Sequence, residues 1–236
     1  MSNYVHTEWS VIHMNDQSST AITPGNGRTS REEHLKEFRV KELLDAARRV
    51  IGRHGFQGTT IDRVAEEAHV AKGTVYLYFT NKDDLLFTAV IDGIRAMSEQ
   101  TFALAHPALP PLERLRGMVR GSFRLLDSNQ DFLKALIIEP SFANVNPDDP
   151  RAQQLRRVFG AYLDFAAAII RDAIDAGQMR PIDPQHAAFM LDELVIGSLR
   201  RRMLEFASGP IEADADAVLD LFFHGTLENA TFAASK

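Results

Sequence analysis

Apolar side chains recur every three or four residues through most of this chain, which is the spacing of amphipathic helices. The pattern starts after Ser30, which together with Glu33 forms a capping-box signal, and its first run stops at Gly55. Runs of the same period continue toward the end of the chain, without a convincing strand pattern. The sequence therefore predicts an all-α protein.

Two short helices are predicted directly after Gly58. The first begins at Thr59 or Thr60, the second follows after a short break, and a longer helix opens at Asn81. Two helices of about two turns, joined by a three- or four-residue break and braced by longer helices, are the arrangement of a helix-turn-helix DNA-binding module. We therefore predict such a module over residues 30–80.

The remaining residues, 81–236, predict a larger helical bundle. Its strongest helical pattern ends at Gly177, and Asp183 caps a following helix in which Pro184 takes the first position. That helix is predicted to reach about Ser208. Residues 1–29 show no sustained period and are rich in Ser, Thr, Asn and Gly, so we predict a flexible N-terminal arm.

Composition and charge narrow the possible functions. The chain has 236 residues, 45% of them hydrophobic and none of them cysteine, which excludes disulfides, cysteine-ligated metals and a cysteine nucleophile. No segment looks like a signal peptide or a membrane span, and we expect a cytoplasmic protein. The net charge is −6, yet residues 31–95 carry 11 basic and 11 acidic residues, so this front segment is neutral, which neither excludes nor proves a phosphate-binding surface.

The second short helix of the module carries side chains suited to DNA. Lys72, Thr74 and Tyr76 lie on it, and Lys82 opens the next helix. Helix N-termini direct backbone N–H groups outward and can bind phosphate, while Gly73 allows a close approach of the backbone. Taken one at a time, a lysine here could be a solvated charge and a tyrosine could pack in the core. The spacing of all these residues together favours DNA binding.

Several short runs in this region are specific enough to compare with a known family. They are Gly55-Phe56, Thr59-Thr60-Ile61, Val64-Ala65, Val70 to Phe79 and Asn81 to Leu86. This pattern, within Arg39 to Ile94, resembles the DNA-binding domain of the TetR family of bacterial transcriptional regulators. The helical remainder resembles that family's ligand-binding and dimerisation domain. The resemblance implies a dimeric repressor that binds a double-stranded DNA operator and leaves it when a small-molecule effector binds.

The resemblance also implies roles for individual residues. Thr60 and Lys82 resemble phosphate contacts, and Lys72, Thr74 and Tyr76 resemble residues that meet phosphates and base edges. Two positions depart from the family pattern. His69 stands where a glycine is frequent in the turn and Ala71 where a serine cap is common, and we expect His69 to tolerate the left-handed backbone conformation.

For the effector, the resemblance implies a mostly apolar cavity inside the bundle. The abundance of phenylalanine, 15 residues, suggests an apolar molecule, although aromatic residues at helical spacing are more often core than pocket. The candidate lining residues are Phe123, Phe142, Phe159, Tyr162, Met190 and Glu193. For the four-helix dimer interface of the last two helices, the candidates are Leu191, Val195, Leu199, Val218, Phe222 and Phe223.

Other functions have weaker support. The sequence lacks the motifs of nucleophilic, nucleotide-binding and zinc enzymes, so we predict no enzyme, no catalytic residue, no metal and no cofactor. A constitutive DNA-binding structural or adaptor protein, with a filled bundle and no effector, stays open as an alternative. A helical-bundle enzyme with a vestigial module would need a cluster of inward polar residues, for which we find no pattern.

Overall fold

The computed structural model describes residues 27–138 and 149–226, and every element within these ranges is a helix, which confirms the all-α prediction. In chain order the helices are α1 (Gly27–Gly58), α2 (Ile61–Glu67), α3 (Lys72–Tyr76), α4 (Lys82–Leu104), α5 (Pro111–Ser128), α6 (Gln130–Ile138), α7 (Pro150–Asp175), α8 (Pro184–Met203) and α9 (Ile211–Thr226). Within these ranges each helix is too short or too polar to cross a lipid bilayer.

The chain divides into two compact units, residues 1–39 and residues 40–236. In the first unit the structure describes residues 27–39, which form the beginning of α1. The second unit holds the remainder of α1 and all the later helices. The described part of α1 thus begins three residues before Ser30, earlier than the capping-box prediction, because nothing in Gly27, Arg28 or Thr29 forbids helical geometry.

The predicted helix caps are largely present. Asn81 accepts a hydrogen bond from the backbone of Asp84 at 2.9 Å, and Asp183 accepts one from Gln185 at 3.0 Å, with Pro184 at the start of the helix. Gly55 has φ +66°, so the helical geometry of α1 is interrupted there as predicted. These signals are local in sequence, and local geometry is sufficient to satisfy them.

The end of α8 was predicted wrongly. The helix stops at Met203 rather than near Ser208, because Glu205 adopts the left-handed conformation with φ +61°. The backbone N–H of Phe206 donates to the carbonyl of Arg201 at 3.0 Å, which closes the helix with a hydrogen-bonding pattern that usually employs glycine at this position.

Two large hydrophobic cores and one small cluster of Phe87, Ile91 and Val158 form among the described residues of the second unit. The core of the helix-turn-helix module, here the module core, includes Leu43, Ile51, Phe56, Val64, Val75, Phe79, Leu85, Val90 and Phe132. The core of the helical bundle, here the bundle core, includes Leu115, Phe123, Leu133, Ile169, Ile170, Leu191, Leu199, Leu219 and Phe223. Helices α4 and α6 contribute to the module core and also pack against the bundle, so they connect the two.

Candidate DNA interface and effector cavity

Helix α2 begins with a threonine cap that leaves a donor available. Thr60 is exposed, and its hydroxyl oxygen accepts a hydrogen bond from the backbone N–H of Arg63 at 3.3 Å. Because the oxygen accepts this bond, the hydroxyl proton remains free to donate outward. The position and chemistry of Thr60 therefore suit a phosphate contact at the start of the module.

The turn between α2 and α3 depends on His69. Its backbone φ is +55°, in the left-handed region that favours glycine, and the next residue, Val70, donates from its N–H to the carbonyl of Ala65 at 2.9 Å. The expectation that histidine tolerates this conformation is confirmed. Ala71 then serves as the N-cap of α3 without a side-chain hydrogen bond, so this short helix starts with unoccupied N–H groups.

Helix α3 buries one side and exposes the other. Val75 is completely buried in the module core, whereas Tyr76 is 51% and Leu77 is 78% exposed. The two neighbouring side chains give the exposed side of α3 apolar groups of the kind that can contact a thymine methyl group in the major groove. Leu77 was not among the predicted DNA contacts, and its exposure makes it a further candidate. An apolar residue directly after the outward-facing Tyr76 was the signal that could have identified it.

No contact within the described chain requires glycine at position 73. It is exposed, lies in a regular helix, and a Cβ atom added to it would meet no other atom within 4 Å. Glycine inside a helix costs about 1 kcal/mol relative to alanine, so it is expected where something else needs the space. An external surface that approaches the α3 backbone closely would supply that reason.

Lys72 is held in place by an acidic neighbour in the free protein. Its ammonium lies 3.0 Å from the carboxylate of Asp62 in α2, and this contact raises the pKa of Lys72. Both side chains are more than half exposed. A phosphate approaching α3 would therefore compete with Asp62 for the lysine.

Lys82 is less available than the sequence suggested. The half-buried side chain donates from Nζ to the carbonyl of Gln57 at 3.3 Å, which ties the start of α4 to the end of α1. Asn81 and Asp84 cap the helix from both sides, since the backbone N–H of Thr80 also donates to Asp84 at 2.9 Å. The α4 terminus therefore offers fewer open N–H groups to phosphate than an uncapped helix would.

A network of ion pairs fixes α2 against α1. Arg49 and Arg53 approach the carboxylate of Glu67 at 2.6 Å and 2.7 Å. Hydrogen bonds from Arg53 and then Arg49 lower the pKa of Glu67 from 4.5 to about 2. Charged groups with several hydrogen bonds hold their partners in a defined geometry, and here they fix the orientation of the first short helix.

An apolar cavity of about 350 Å³ opens among α4, α5, α6, α7 and α8. Its volume falls within the range of about 300–1,000 Å³ that is typical of small-molecule sites. The lining residues contributed by α4 and α6 include Val90, Ile94, Leu133 and Leu136, and the polar ones are Ser98, Thr101, Ser122, Tyr162, Asp192 and Glu193.

Three of the six residues that were predicted to line the effector cavity do line it. Phe159, Tyr162 and Glu193 line the cavity. Phe123 lies in the bundle core instead, and Met190 is 45% exposed and outside the cavity lining, because the turn of α8 that faces the cavity carries Asp192 and Val195. Phe142 lies outside the described residues. Asp192 was missed, since a single acidic residue on a helix normally indicates a solvated face.

Burial shifts the pKa values of two polar groups that line the cavity. Burial and then Glu193 raise the pKa of Asp192 from 3.8 to about 7. Tyr162 hydrogen-bonds Ser122, and burial raises its pKa well above its ordinary value. Its ring lies 6.1 Å from the stacked ring of Phe102.

A larger cleft of about 760 Å³ lies where α1, α4 and the α5–α6 junction meet. It is polar, and its arginines are engaged: Arg48 contacts Asp92 at 2.5 Å and also Asp45, while Arg49 and Arg53 hold Glu67. Paired arginines of this kind maintain the contact between helices, so the apolar cavity is the better candidate for a small-molecule site.

The predicted dimer residues do not form a free surface. All six side chains are at most 5% exposed within a single chain and belong to the bundle core, namely Leu191, Val195, Leu199, Val218, Phe222 and Phe223. Their wide apolar faces are covered by other helices of the same chain, which the helical period alone could not reveal. The apolar residues that α8 and α9 present to solvent are Phe189, Met190 and Leu221, with exposures of 41%, 45% and 61%.

Comparison with known proteins agrees with this geometry. Residues 43–89 match the family model of bacterial regulatory proteins of the tetR family. The HTH-type transcriptional regulator RutR of Escherichia coli (strain K12) is 28% identical over 207 residues, which cover 86% of this chain and 90% of RutR.

Solved structures show the same fold. FadR, a transcriptional regulator from Bacillus subtilis in complex with stearoyl-CoA, has a TM-score of 0.68 and 22% identity, covering 78% of this chain and 98% of that one. SmeT, the repressor of the Stenotrophomonas maltophilia multidrug efflux pump SmeDEF, has a TM-score of 0.63 and 25% identity, covering 84% and 94%.

Proposed function

We propose that this chain, which belongs to the TetR family of bacterial regulatory proteins, is a transcriptional repressor released from its operator by a small molecule. In this proposal α3 enters the major groove of double-stranded DNA, two copies bind two half-sites, and the effector occupies the cavity. The observation that carries DNA binding is the exposed surface of α3, where Gly73 and Tyr76 have no partner that explains them.

Each predicted DNA contact has a position that supports its role. Lys72, Gly73 and Tyr76 are exposed on α3, Thr74 is half-buried beside them, and Thr60 caps the neighbouring helix. Phosphate contacts by Thr60, Lys72 and Lys82 would set the position of the module, and the few side chains near Tyr76 would contribute base selection.

Dimerisation is part of the proposal because one module makes too few contacts to select an operator. The surface we propose for it is revised from the sequence analysis to the exposed apolar residues Phe189 and Met190 of α8 and Leu221 of α9. Apolar side chains of this size on two helices are typical of helical dimer interfaces.

The cavity supports an effector-responsive protein over a constitutive DNA-binding protein. A filled bundle was the feature that would favour the constitutive alternative, and a cavity of about 350 Å³ is present instead. Helix α4 links the two sites, because it lines the cavity with Ile94 and Ser98 and contributes Leu85 to the module core. An effector that fits one orientation of α4 better than another would shift the population of DNA-binding dimers.

The proposal is tested by gel shift on an operator selected by the wild-type protein from a random duplex library. Lys72→Ala should weaken binding and reduce the slope of affinity against salt by about 1, and Tyr76→Ala should cost about 1–3 kcal/mol of binding free energy. Arg171→Ala, which removes an exposed charge of α7, is the matched control and should change neither. Light scattering should give a dimer for all three variants, and unchanged operator affinity in Lys72→Ala and Tyr76→Ala would refute the assignment.

A further inference from the structure

The serine and threonine hydroxyls of the effector cavity are arranged to accept hydrogen bonds from a ligand. Three such side chains line the cavity, and each donates its proton to a carbonyl four residues earlier in its own helix. These bonds run from Ser98 to Ile94 at 2.9 Å, from Thr101 to Met97 at 3.0 Å and from Ser122 to Met118 at 3.0 Å. With the protons used in this way, the oxygens keep lone pairs for a ligand.

A fourth hydroxyl, that of Tyr162, also lines the cavity and hydrogen-bonds Ser122. Its phenol oxygen carries lone pairs that can accept a hydrogen bond from a ligand. The hydroxyl groups of α4, α5 and α7 therefore complement a molecule that brings its own N–H or O–H protons.

Two carboxyl groups from α8 complete the polar lining. Asp192 and Glu193 both line the cavity, Asp192 as a half-buried group and Glu193 at the exposed edge, and burial and the negative charge of Glu193 disfavour the ionised form of Asp192. Among the lining residues that the structure describes, there is no lysine, arginine or histidine to balance these two carboxyl groups. A half-buried carboxylate beside a second negative charge carries an electrostatic penalty that a bound cation would relieve.

The rest of the cavity suits the remainder of such a ligand. Phe159 and Tyr162 add aromatic side chains to the lining, and Val90, Leu133 and Leu136 provide an aliphatic surface for an apolar body. An acyl-CoA of the kind held by FadR carries phosphate anions, which the acidic lining would repel.

We propose that the effector is a cationic amphiphile, with a protonated amine that donates to Asp192, Glu193 and the hydroxyl oxygens and with an apolar body in the remaining cavity. The inference rests on the proposed function, because it specifies the ligand class of the same cavity. Charge complementarity inside the cavity is its basis, and the size of the cavity limits the ligand to a small molecule.

Three probes with the same alkyl chain test the ligand class: n-decylamine, n-decanol and n-decanoate, titrated calorimetrically into the full-length protein near neutral pH. We expect the ammonium to bind about ten- to a hundredfold more tightly than the carboxylate. Asp192→Asn and Glu193→Gln should each weaken ammonium binding by about tenfold or more while decanol affinity stays within about twofold. Glu99→Gln, an exposed carboxyl of α4 next to Ser98, is the matched control and should bind all three probes like the wild type.

Equal or tighter binding of decanoate, or full ammonium affinity in both cavity variants, overturns the inference. So does the absence of binding by all three probes. Release of the selected operator by each probe is measured with the same proteins. This distinguishes a failure of the ligand class from a failure of the proposed function. If decylamine binds but does not release the DNA, effector control is contradicted and the ligand class stands. If the protein binds the operator but not decylamine, the ligand class is contradicted and the proposed DNA-binding function stands.

Discussion

Phe132 and Leu133 are neighbours in α6 but lie in different hydrophobic cores. Phe132 is buried in the module core, and Leu133 is buried in the bundle core and also lines the cavity. One turn later, Leu136 packs against both cores and lines the cavity as well. Helix α6 is therefore a second element, beside α4, that both lines the cavity and packs into the module core.

The contact between α6 and the module is close enough to test by adding one methyl group. A Cβ added at Gly52 of α1 would lie 2.9 Å from the Cβ of Asp131 and 3.1 Å from the backbone N of Phe132. Gly52→Ala should lower the free energy of unfolding by about 1–3 kcal/mol, because α6 must move away. Gly160→Ala, in open space on α7, should instead raise it by up to about 1 kcal/mol through helix propensity. Urea unfolding measures both, and equal stabilisation by the two alanines would contradict the close contact.

Gly73→Ala separates stability from DNA binding. The added methyl group meets nothing within 4 Å in the free protein, so the free energy of unfolding should stay equal or rise by up to about 1 kcal/mol. Operator affinity should fall, because the methyl group occupies the space into which the DNA backbone must come. Thermal unfolding and gel shift on the selected operator give the two readouts. Retained affinity would mean that α3 does not approach the DNA at this residue.

Acid should weaken the attachment of α2 through Glu67. Arg53 and Arg49 hold the folded-state pKa of Glu67 near 2 instead of 4.5. A depressed carboxyl pKa stabilises the fold above the unfolded value, and this contribution is lost as the pH falls from about 4.5 toward about 2. Glu67→Gln should therefore lower the free energy of unfolding by about 1 kcal/mol near neutral pH, with a difference that shrinks toward pH 3 or so. Urea unfolding of wild type and variant at several pH values measures this difference, and a difference that stays constant toward pH 3 or so would contradict the role of Glu67.

The raised pKa of Asp192 predicts the opposite pH dependence. Its carboxyl binds a proton more tightly in the folded state, with a pKa near 7 instead of 3.8, so the ionised form opposes folding. This destabilisation is absent below the unfolded value, grows as the pH rises and is complete above about 7. Asp192→Asn should raise the free energy of unfolding by about 1–2 kcal/mol near pH 8 and by much less near pH 4. A constant difference between variant and wild type across this range would rule out a buried titrating carboxyl.

Many helix ends and turns could be predicted because they depend on residues that are close together in sequence. The caps at Thr60, Asn81 and Asp183 and the left-handed turn at His69 each involve atoms within four residues of one another. The exposure of Tyr76 was accessible to the same reasoning, since it follows the buried Val75 by one residue, which is a rotation of about 100° around the helix axis. The exposure of Lys72 was not, because Lys72 and Val75 are three residues apart and share one side of the helix. The early end of α8 was not, because the left-handed residue there is a glutamate, Glu205.

The amino-acid sequence by itself determined that the chain is helical, where most helices begin and which face of each is apolar. Only the tertiary structure decided what covers those faces. It placed Leu191 and Phe222 in the core of one chain and left Phe189 and Leu221 on the surface. It also directed Asp192 toward the cavity, where Met190 had been predicted. The physical reason is that helical period fixes the direction of a side chain about its own axis, whereas burial and pKa depend on helices far away in sequence.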